Sequence, residues 1–319
     1  MQQGSAGVGK KAKRVLGGAA LAAAMVASPV QAHPGDWVYG VSSIPNPVEP
    51  SAVSLPVAHQ RALVTSEGWS ADPSGRYAYN VGTPTLVPIP ETLRGNSAAP
   101  AVILVPGGGF LFLSMDNEGY QVAQRMVPYG VRVFVLKYRT QPVAGGYAGF
   151  HDELVASFRM MKANRDLAEA VPYAAADTEE AVKLVRARAA EWHVDPKRVG
   201  IVGFSAGAIT VLATAQQASG AARPDFVGMI YGPTQTATVP AGPMPLFAAI
   251  AADDRFFSKQ DFGLFQAWRQ AGGSIEGHLY ASGGHGFASQ PGNNTSDLWF
   301  DQLMGWMKVQ GFLPEKKAP

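Results

Sequence analysis

The chain has 319 residues, no cysteine and a formal net charge of +2 at pH 7. The lack of cysteine excludes a disulfide framework and a lipoprotein attachment site. Four basic residues and no acidic ones fall within positions 1–32, so the remainder carries a charge near +2 − 4 = −2. That remainder lacks the basic footprint of a nucleic-acid-binding protein.

Residues 1–32 have the layout of a secretory signal peptide. A basic segment, Lys10–Arg14, precedes a 13-residue apolar stretch, Val15–Ala27, and a small-residue cleavage motif at Val30–Ala32. This apolar stretch is too short for a stable membrane span, and the alternative is an uncleaved anchor helix. We therefore predict export to the bacterial periplasm or the medium, with no membrane span after cleavage.

Residues 33–82 are rich in proline and polar turns, which predicts an irregular lead-in with one or two edge strands. Residues 83–319 are predicted to form an α/β domain, because apolar strands alternate there with amphipathic helices. This alternation is typical of a mostly parallel sheet covered by helices on both faces. The predicted strands are Thr85–Ile89 at an edge, Ala101–Val105, Val131–Tyr138, Val199–Phe204, Phe226–Tyr231, Leu246–Ala251 and Ser274–Tyr280. The predicted helices are Tyr120–Tyr129, Thr178–Trp192, Ala206–Ala218, Lys259–Ala271 and Asp297–Val309.

The segment 141–176 interrupts this alternation. A turn at Gly145 and Gly146 leads into helical spacing over Asp152–Ala170. The segment is long for a connection between a strand and the next helix. It is either a small cap over the active site or an ordinary surface helix.

A candidate nucleophile lies where the strand Val199–Phe204 meets the following alanine-rich helix. The sequence there is Gly203-Phe204-Ser205-Ala206-Gly207. Strand, sharp turn and helix form the context of a nucleophile elbow, in which small flanking residues leave the serine hydroxyl exposed. This pattern predicts Ser205 as the nucleophile.

A serine nucleophile of this type needs a histidine base and an acid, which follow it in the chain in the order acid, then histidine. Of the six histidines, His278 and His285 lie far enough beyond Ser205. His278 falls within a predicted strand, whereas His285 lies in a glycine-rich loop after that strand, so His285 is the predicted base. Asp253 and Asp254 both end the preceding strand and are both candidates for the acid.

Backbone N–H groups are expected to bind the oxyanion. The first comes from Ala206, the residue after the nucleophile. Others are expected from the loop Gly107–Gly109, which follows the predicted strand Ala101–Val105. Three glycines allow N–H groups to approach a carbonyl oxygen without side-chain obstruction. No phosphate-loop, dinucleotide or metal-ligand spacing is present, so no metal and no cofactor are expected.

These features together resemble the α/β-hydrolase superfamily. The resemblance is closer to its acetyl-esterase branch, which includes acetylxylan and feruloyl esterases, and it covers Thr83 to Phe312. The matching blocks are Val105–Phe110, Glu118-Gly119 with Val122-Ala123, Val135–Arg139, Arg186–Trp192, Val194–Val199, Gly203–Gly207, Ala252–Asp254 and Gly283–Phe287.

The resemblance implies that Asp254 is the acid and that Gly108 and Gly109 supply oxyanion donors. It also implies a serine carboxylesterase acting on small-molecule or carbohydrate esters, with acetyl or other short acyl groups. Aromatic residues near the site loops could line the acyl pocket, or half of them could simply pack the core. The pocket candidates are Phe110, Phe256 and Phe287, with Phe112 and Phe257 beside them.

Two other classes of function remain open at this stage. One is another acyl hydrolase on the same fold, such as a polyester hydrolase, lipase or peptidase. The other is a non-catalytic binding protein, since a fold alone implies no chemistry. The sequence does not determine the oligomeric state or the natural ester.

Overall fold

The computed structural model describes residues 36–57, 66–159, 166–257, 259–289 and 292–314. The predicted signal peptide, residues 1–32, lies outside these ranges. The described strands are β1 (Ser42–Ile44), β2 (Val53–Ser54), β3 (Gly68–Asp72), β4 (Gly75–Tyr79), β5 (Thr85–Pro88), β6 (Ala99–Val105), β7 (Phe112–Ser114), β8 (Arg132–Lys137), β9 (Val194–Phe204), β10 (Phe226–Ile230), β11 (Leu246–Ala251) and β12 (Ile275–Tyr280). The described α-helices are α1 (Gln121–Met126), α2 (Gly146–Leu154), α3 (Leu167–Ala187), α4 (Ala206–Gln217), α5 (Gly263–Gln270) and α6 (Trp299–Val309).

An eight-stranded sheet forms the centre of the fold, in the order β12-β11-β10-β9-β6-β8-β5-β2. The strands from β12 to β8 in this order are parallel, and β5 and β2 add to the edge in antiparallel pairing. Every residue of β6, β8, β10 and β11 is buried. Strands buried on both faces explain the continuous apolar runs of the sequence, and the predicted α/β class is confirmed.

The lead-in is more regular than its sequence predicts. Strands β1, β3, β4 and β7 form a separate four-stranded antiparallel sheet. A tight turn joins β3 to β4, where the Asp72 carboxylate accepts hydrogen bonds from the N–H groups of Ser74 (2.8 Å) and Gly75 (3.1 Å). These strands have five residues or fewer, so hydrophobic alternation is too short to reveal them.

The segment 141–176 contains α2, a π-helical turn at Val155–Arg159 and the start of α3. The side chain of Asp166 caps α3 by accepting the Glu169 N–H, so this helix begins 11 residues before the predicted start at Thr178. Apart from the main core around the large sheet, a smaller hydrophobic cluster joins the N-terminal segment, residues 37–41, to the four-stranded sheet and to α2. Its buried members are Val38, Val41, Tyr77, Tyr79, Leu111, Phe112, Phe150 and Leu154.

Candidate active site

The turn from β9 to α4 holds Ser205 in a strained conformation, with φ +52° and ψ −114°. A non-glycine residue in this region costs about 1–3 kcal/mol and is held there by its surroundings. A Cβ atom at Gly203 would lie 2.2 Å from the Gly207 carbonyl oxygen, and one at Gly207 would lie 1.9 Å from the Val105 carbonyl oxygen. The two glycines are therefore required for the close approach of helix and strand that exposes Ser205.

Ser205, His285 and Asp254 form a continuous hydrogen-bonded chain. Ser205 Oγ lies 2.8 Å from His285 Nε2, and His285 Nδ1 lies 2.8 Å from Asp254 Oδ2. The side chain of Asp254 is fully buried, and that of His285 is 13% exposed. With Asp254 as the acceptor of Nδ1–H, the neutral imidazole has Nε2 free to accept the serine hydroxyl proton. His278 lies elsewhere, on β12, with its Nε2 atom 3.0 Å from Glu276 Oε1.

The neighbouring carboxylate, Asp253, binds the histidine loop rather than the histidine. Its Oδ1 atom accepts the Gly284 N–H at 2.8 Å, and its Oδ2 atom accepts the Gly283 N–H at 3.4 Å. Asp254 Oδ1 instead accepts the N–H groups of its own loop, from Phe256 (2.8 Å) and Phe257 (3.2 Å). Asp253 therefore holds the backbone of the loop that carries His285, whereas Asp254 holds its own loop and the His285 ring.

We expect Asp253→Ala to lower kcat by about tenfold, because the loop that carries His285 loses an acceptor worth about one hydrogen bond. Asp253 is exposed, so the substitution leaves no cavity. Steady-state kinetics on p-nitrophenyl acetate measure the effect, with Asp301→Ala as the control because Asp301 is an exposed acid on α6. An Asp253→Ala enzyme as fast as the control would contradict this role.

The glycine loop is held by hydrogen bonds to its carbonyl groups. The Gly107 oxygen accepts the Ser114 N–H at 3.0 Å, and the Gly108 oxygen accepts from Leu111 (3.1 Å) and Phe112 (3.3 Å). Gly108 has φ +130°, and a Cβ atom there would lie 2.1 Å from the Phe112 oxygen. Gly109 has φ +59°. At Gly108, only glycine combines the positive φ with the absence of a Cβ atom.

Ala206 is the first residue of α4, so its N–H has no acceptor within the helix. It directly follows Ser205, and the carbonyl oxygens of Val105 and Pro106, which precede the glycine loop, lie against Gly207 in the same helix turn. The glycine loop and the first turn of α4 therefore lie next to each other beside Ser205, which is the placement that the predicted oxyanion donors require.

Glu118 lies beside this loop, in a role that the sequence does not predict. Its Oε2 atom accepts the Gly107 N–H at 2.6 Å, and its Oε1 atom accepts the Tyr231 hydroxyl at 2.6 Å. Burial raises the pKa of Glu118, and the hydrogen bonds from Tyr231 and Gly107 and the charge of His285 oppose this rise. The only sequence signal at this position is that Glu118-Gly119 is one of the blocks that carry the family resemblance, which assigns no role to the glutamate.

The three predicted pocket aromatics differ in their surroundings. Phe110 is 1% exposed and packs on Tyr138 with ring centroids 6.3 Å apart. Phe287 is 4% exposed and packs on Tyr231 at 5.0 Å. Both belong to the main hydrophobic core. Phe256 is half-buried, and its ring contacts His285 edge-on at 4.7 Å.

Phe158, on the π-helical turn after α2, contacts Phe256 at 6.3 Å. Behind it, Phe112 and Trp37 lie 5.7 Å and 5.8 Å from the Phe158 ring. Phe257 contacts His285 from another direction, at 5.7 Å. An aromatic wall, Phe256 and Phe158 backed by Phe112 and Trp37, thus extends from the histidine to the N-terminal segment.

Within the described ranges, no three His, Cys, Asp or Glu side chains form a group that could hold a metal ion. Among the same residues, no helix has the length and apolar character needed to cross a membrane.

The chain is similar in sequence or fold to several known hydrolases. The chain is 25% identical over 250 residues to an acetylxylan esterase of Xylanibacter ruminicola, a match that covers 68% of the chain and 47% of that protein. The chain thus spans about half the length of this relative.

Two solved structures illustrate the fold. One is an acetyl ester-xyloside bifunctional hydrolase from Caldicellulosiruptor lactoaceticus, with a TM-score of 0.54 and 21% identity over 73% of this chain and 90% of that one. The other is a propionate-bound thermophilic esterase from Thermogutta terrifontis, with a TM-score of 0.57 and 17% identity over 85% and 98%. The profile of the dienelactone hydrolase family matches residues 129–307, more than half of the chain. The chain therefore belongs to the dienelactone hydrolase family and has the α/β-hydrolase fold.

Proposed function

We propose that the protein is a serine carboxylesterase that hydrolyses short-chain acyl esters through an acyl-serine intermediate. The observation that carries this proposal is the relay from Ser205 to His285 to Asp254, with 2.8 Å at each step. Nucleophile, base and orienting acid within hydrogen-bond reach are the requirement for activating a serine hydroxyl.

In the proposed reaction, Ser205 Oγ attacks the ester carbonyl carbon while His285 Nε2 takes the hydroxyl proton. The N–H groups of Gly108, Gly109 and Ala206 stabilise the negative oxygen of the tetrahedral intermediate. The imidazolium, stabilised by ionised Asp254, then protonates the leaving alcohol as the C–O bond breaks. Water activated by His285 attacks the acyl-serine, and the acid is released as the serine regains its proton.

We propose acetyl and related short acyl esters on carbohydrate as the substrate class. The similarity to an acetylxylan esterase and to an acetyl ester-xyloside hydrolase supports it. The aromatic wall supports it as well, because Phe256 packs on His285 and Phe158 packs on Phe256, which places apolar surface next to the base. On this reading the segment that carries Phe158 acts as a small cap, and residues 1–32 direct the enzyme out of the cytoplasm.

A substrate panel tests the class. Aryl esters of increasing chain length, acetylated xylo-oligosaccharide and methyl ferulate are compared by kcat/KM. We expect the highest values for acetyl to butyryl aryl esters and measurable acetate release from the oligosaccharide. Hydrolysis of the aryl esters without acetate release would remove the carbohydrate assignment and leave the esterase.

We expect Phe256→Ala to lower kcat/KM for p-nitrophenyl butyrate by about tenfold, since an apolar contact to a small group contributes a factor of this size. The exposed Phe262 provides a matched control, because it is 47% exposed and packs on Phe265 instead. Equal losses in Phe256→Ala and Phe262→Ala would argue against an acyl-pocket role for Phe256.

A further inference from the structure

The buried carboxyl group of Glu118 binds the loop that is proposed to hold the oxyanion. Glu118 lies in a π-helical turn, Met115–Tyr120, and is 6% exposed. π-Helical turns are uncommon and occur frequently at functional sites. The distance of 2.6 Å from Oε2 to the Gly107 nitrogen is at the short end of the range for N–H···O hydrogen bonds.

Glu118 also lies close to the nucleophile. A Cβ atom at Gly107 would come within 2.9 Å of Glu118 Oε2 and 2.8 Å of Ser205 Cβ. Glu118 Oε2 and Ser205 Cβ therefore both lie close to Gly107, on the side where a side chain would project. No other residue type leaves room for both contacts.

The peptide units of the loop explain why this contact matters. In the unit between Pro106 and Gly107, the carbonyl accepts the Tyr138 hydroxyl at 2.9 Å and the N–H is bound by Glu118. In the next unit, the Gly107 carbonyl is bound to Ser114. Because a trans peptide directs its C=O and N–H in opposite directions, the Gly108 N–H then points away from Ser114. Because the two peptide units share the Gly107 Cα atom, the orientation of the Pro106–Gly107 unit restricts the direction of the Gly108 N–H.

Tyr231 connects the same carboxyl group to the histidine. Its hydroxyl donates to Glu118 Oε1 at 2.6 Å, its N–H donates to the Ala249 oxygen at 2.8 Å, and its ring lies 5.1 Å from the His285 ring. Glu118 thus bridges the glycine loop and a ring that supports His285. Tyr231 is itself fully buried, so water does not compete for its hydrogen bond to Glu118.

We propose that Glu118 is a positioning residue, which holds the glycine loop in its oxyanion-binding conformation through hydrogen bonds to Gly107 and Tyr231. This inference rests on the proposed esterase function. A buried polar group is costly unless its partners satisfy it, and here both partners belong to the site. Its hydrogen bonds are to Gly107 and Tyr231 and not to Ser205 or His285, so we assign it a positioning role and not a role as acid or base.

Three variants test the proposal. Glu118→Gln can keep both contacts, because its amide oxygen accepts from Gly107 and its NH₂ group donates to a reoriented Tyr231 hydroxyl. Glu118→Met has a similar length and keeps neither. Tyr231→Phe keeps the ring against His285 but removes the hydroxyl. Each is compared with wild type by circular dichroism, thermal unfolding, kcat and KM on p-nitrophenyl acetate, and inhibition by phenylboronic acid.

Phenylboronic acid separates loop geometry from general stability. It forms a tetrahedral adduct with the serine oxygen, so its affinity depends on the oxyanion donors. We expect Glu118→Met to lower kcat by about 100-fold, the scale of losing an oxyanion donor, with KM within about threefold and a matching loss of boronate affinity. Glu118→Gln should stay within about threefold of wild type, and Tyr231→Phe should lose about tenfold in kcat.

A folded Glu118→Met enzyme with wild-type kcat and boronate affinity would overturn the proposal. So would a Glu118→Gln enzyme that loses as much as Glu118→Met, since charge and not hydrogen bonding would then matter. If Glu118→Met does not fold, Tyr231→Phe decides, and unchanged kcat and boronate affinity overturn the proposal. Ser205→Ala, assayed in parallel, distinguishes the two levels: an active Ser205→Ala enzyme refutes the esterase mechanism itself, whereas an inactive one leaves only the Glu118 role in question.

Discussion

Ser205→Ala is expected to lower kcat for p-nitrophenyl acetate by on the order of 10⁴- to 10⁶-fold, with little change in the folded state. The serine supplies the atom that forms the acyl bond, and no other group reaches the His285 Nε2 position at 2.8 Å within the described residues. Alanine also has a Cβ atom, so the strained turn at φ +52° imposes a similar conformational cost on both residues.

The control for this variant is Ser219→Ala. Ser219 is an exposed serine just beyond α4 and makes no capping hydrogen bond with its side chain. Ser219→Ala should retain wild-type activity and thermal stability. If Ser205→Ala hydrolysed the ester as fast as Ser219→Ala, the serine mechanism would be wrong.

Asp254→Asn is expected to lower kcat by about 10⁴-fold, because it places the wrong tautomer on the base. Asp254 Oδ1 accepts N–H groups from Phe256 and Phe257, so the oxygen of an asparagine is held on that side. Its NH₂ group then faces His285 Nδ1, which must become an acceptor. The ring proton moves to Nε2, and this nitrogen can then no longer accept the proton of Ser205.

Asp253→Asn provides the matched comparison, since it makes the same change one residue away. Asp253 accepts backbone N–H groups of Gly283 and Gly284, and the asparagine oxygen can replace its principal contact at Oδ1. We expect a loss of less than about tenfold. Steady-state kinetics across pH 6–9 and thermal unfolding of both variants measure the difference. Comparable losses in the two variants would contradict the assignment of separate roles.

The parts of the site that depend on local chain geometry could be predicted from the sequence. A serine between two glycines at the end of an apolar strand requires a sharp turn, and the structure has that turn at Ser205. His285 could be distinguished from His278 because His285 follows β12, whereas His278 lies within it. Each of these inferences uses only neighbours along the chain and the rule that sheets place sites at strand ends.

Features that depend on residues distant in sequence could not be predicted in this way. Asp253 and Asp254 are equivalent in local pattern. The family resemblance favours Asp254, and the directions of the two side chains in the fold separate them. Glu118 is separated by 113 residues from its partner Tyr231, so neither residue indicates the other. Phe287 follows His285 closely in the chain, yet its ring packs in the core against Tyr231 and Tyr280, which lie far from it in sequence or on β12.

The central claim, that Ser205 is an activated nucleophile, is tested most directly by covalent labelling. The full-length protein is treated with a fluorophosphonate, and the adduct is located by intact-mass measurement and peptide mapping. We predict one adduct per chain, on Ser205, with loss of esterase activity in proportion to labelling and no adduct in Ser205→Ala. Complete retention of activity after treatment, or an adduct on a different residue that accounts for the inactivation, would contradict the claim.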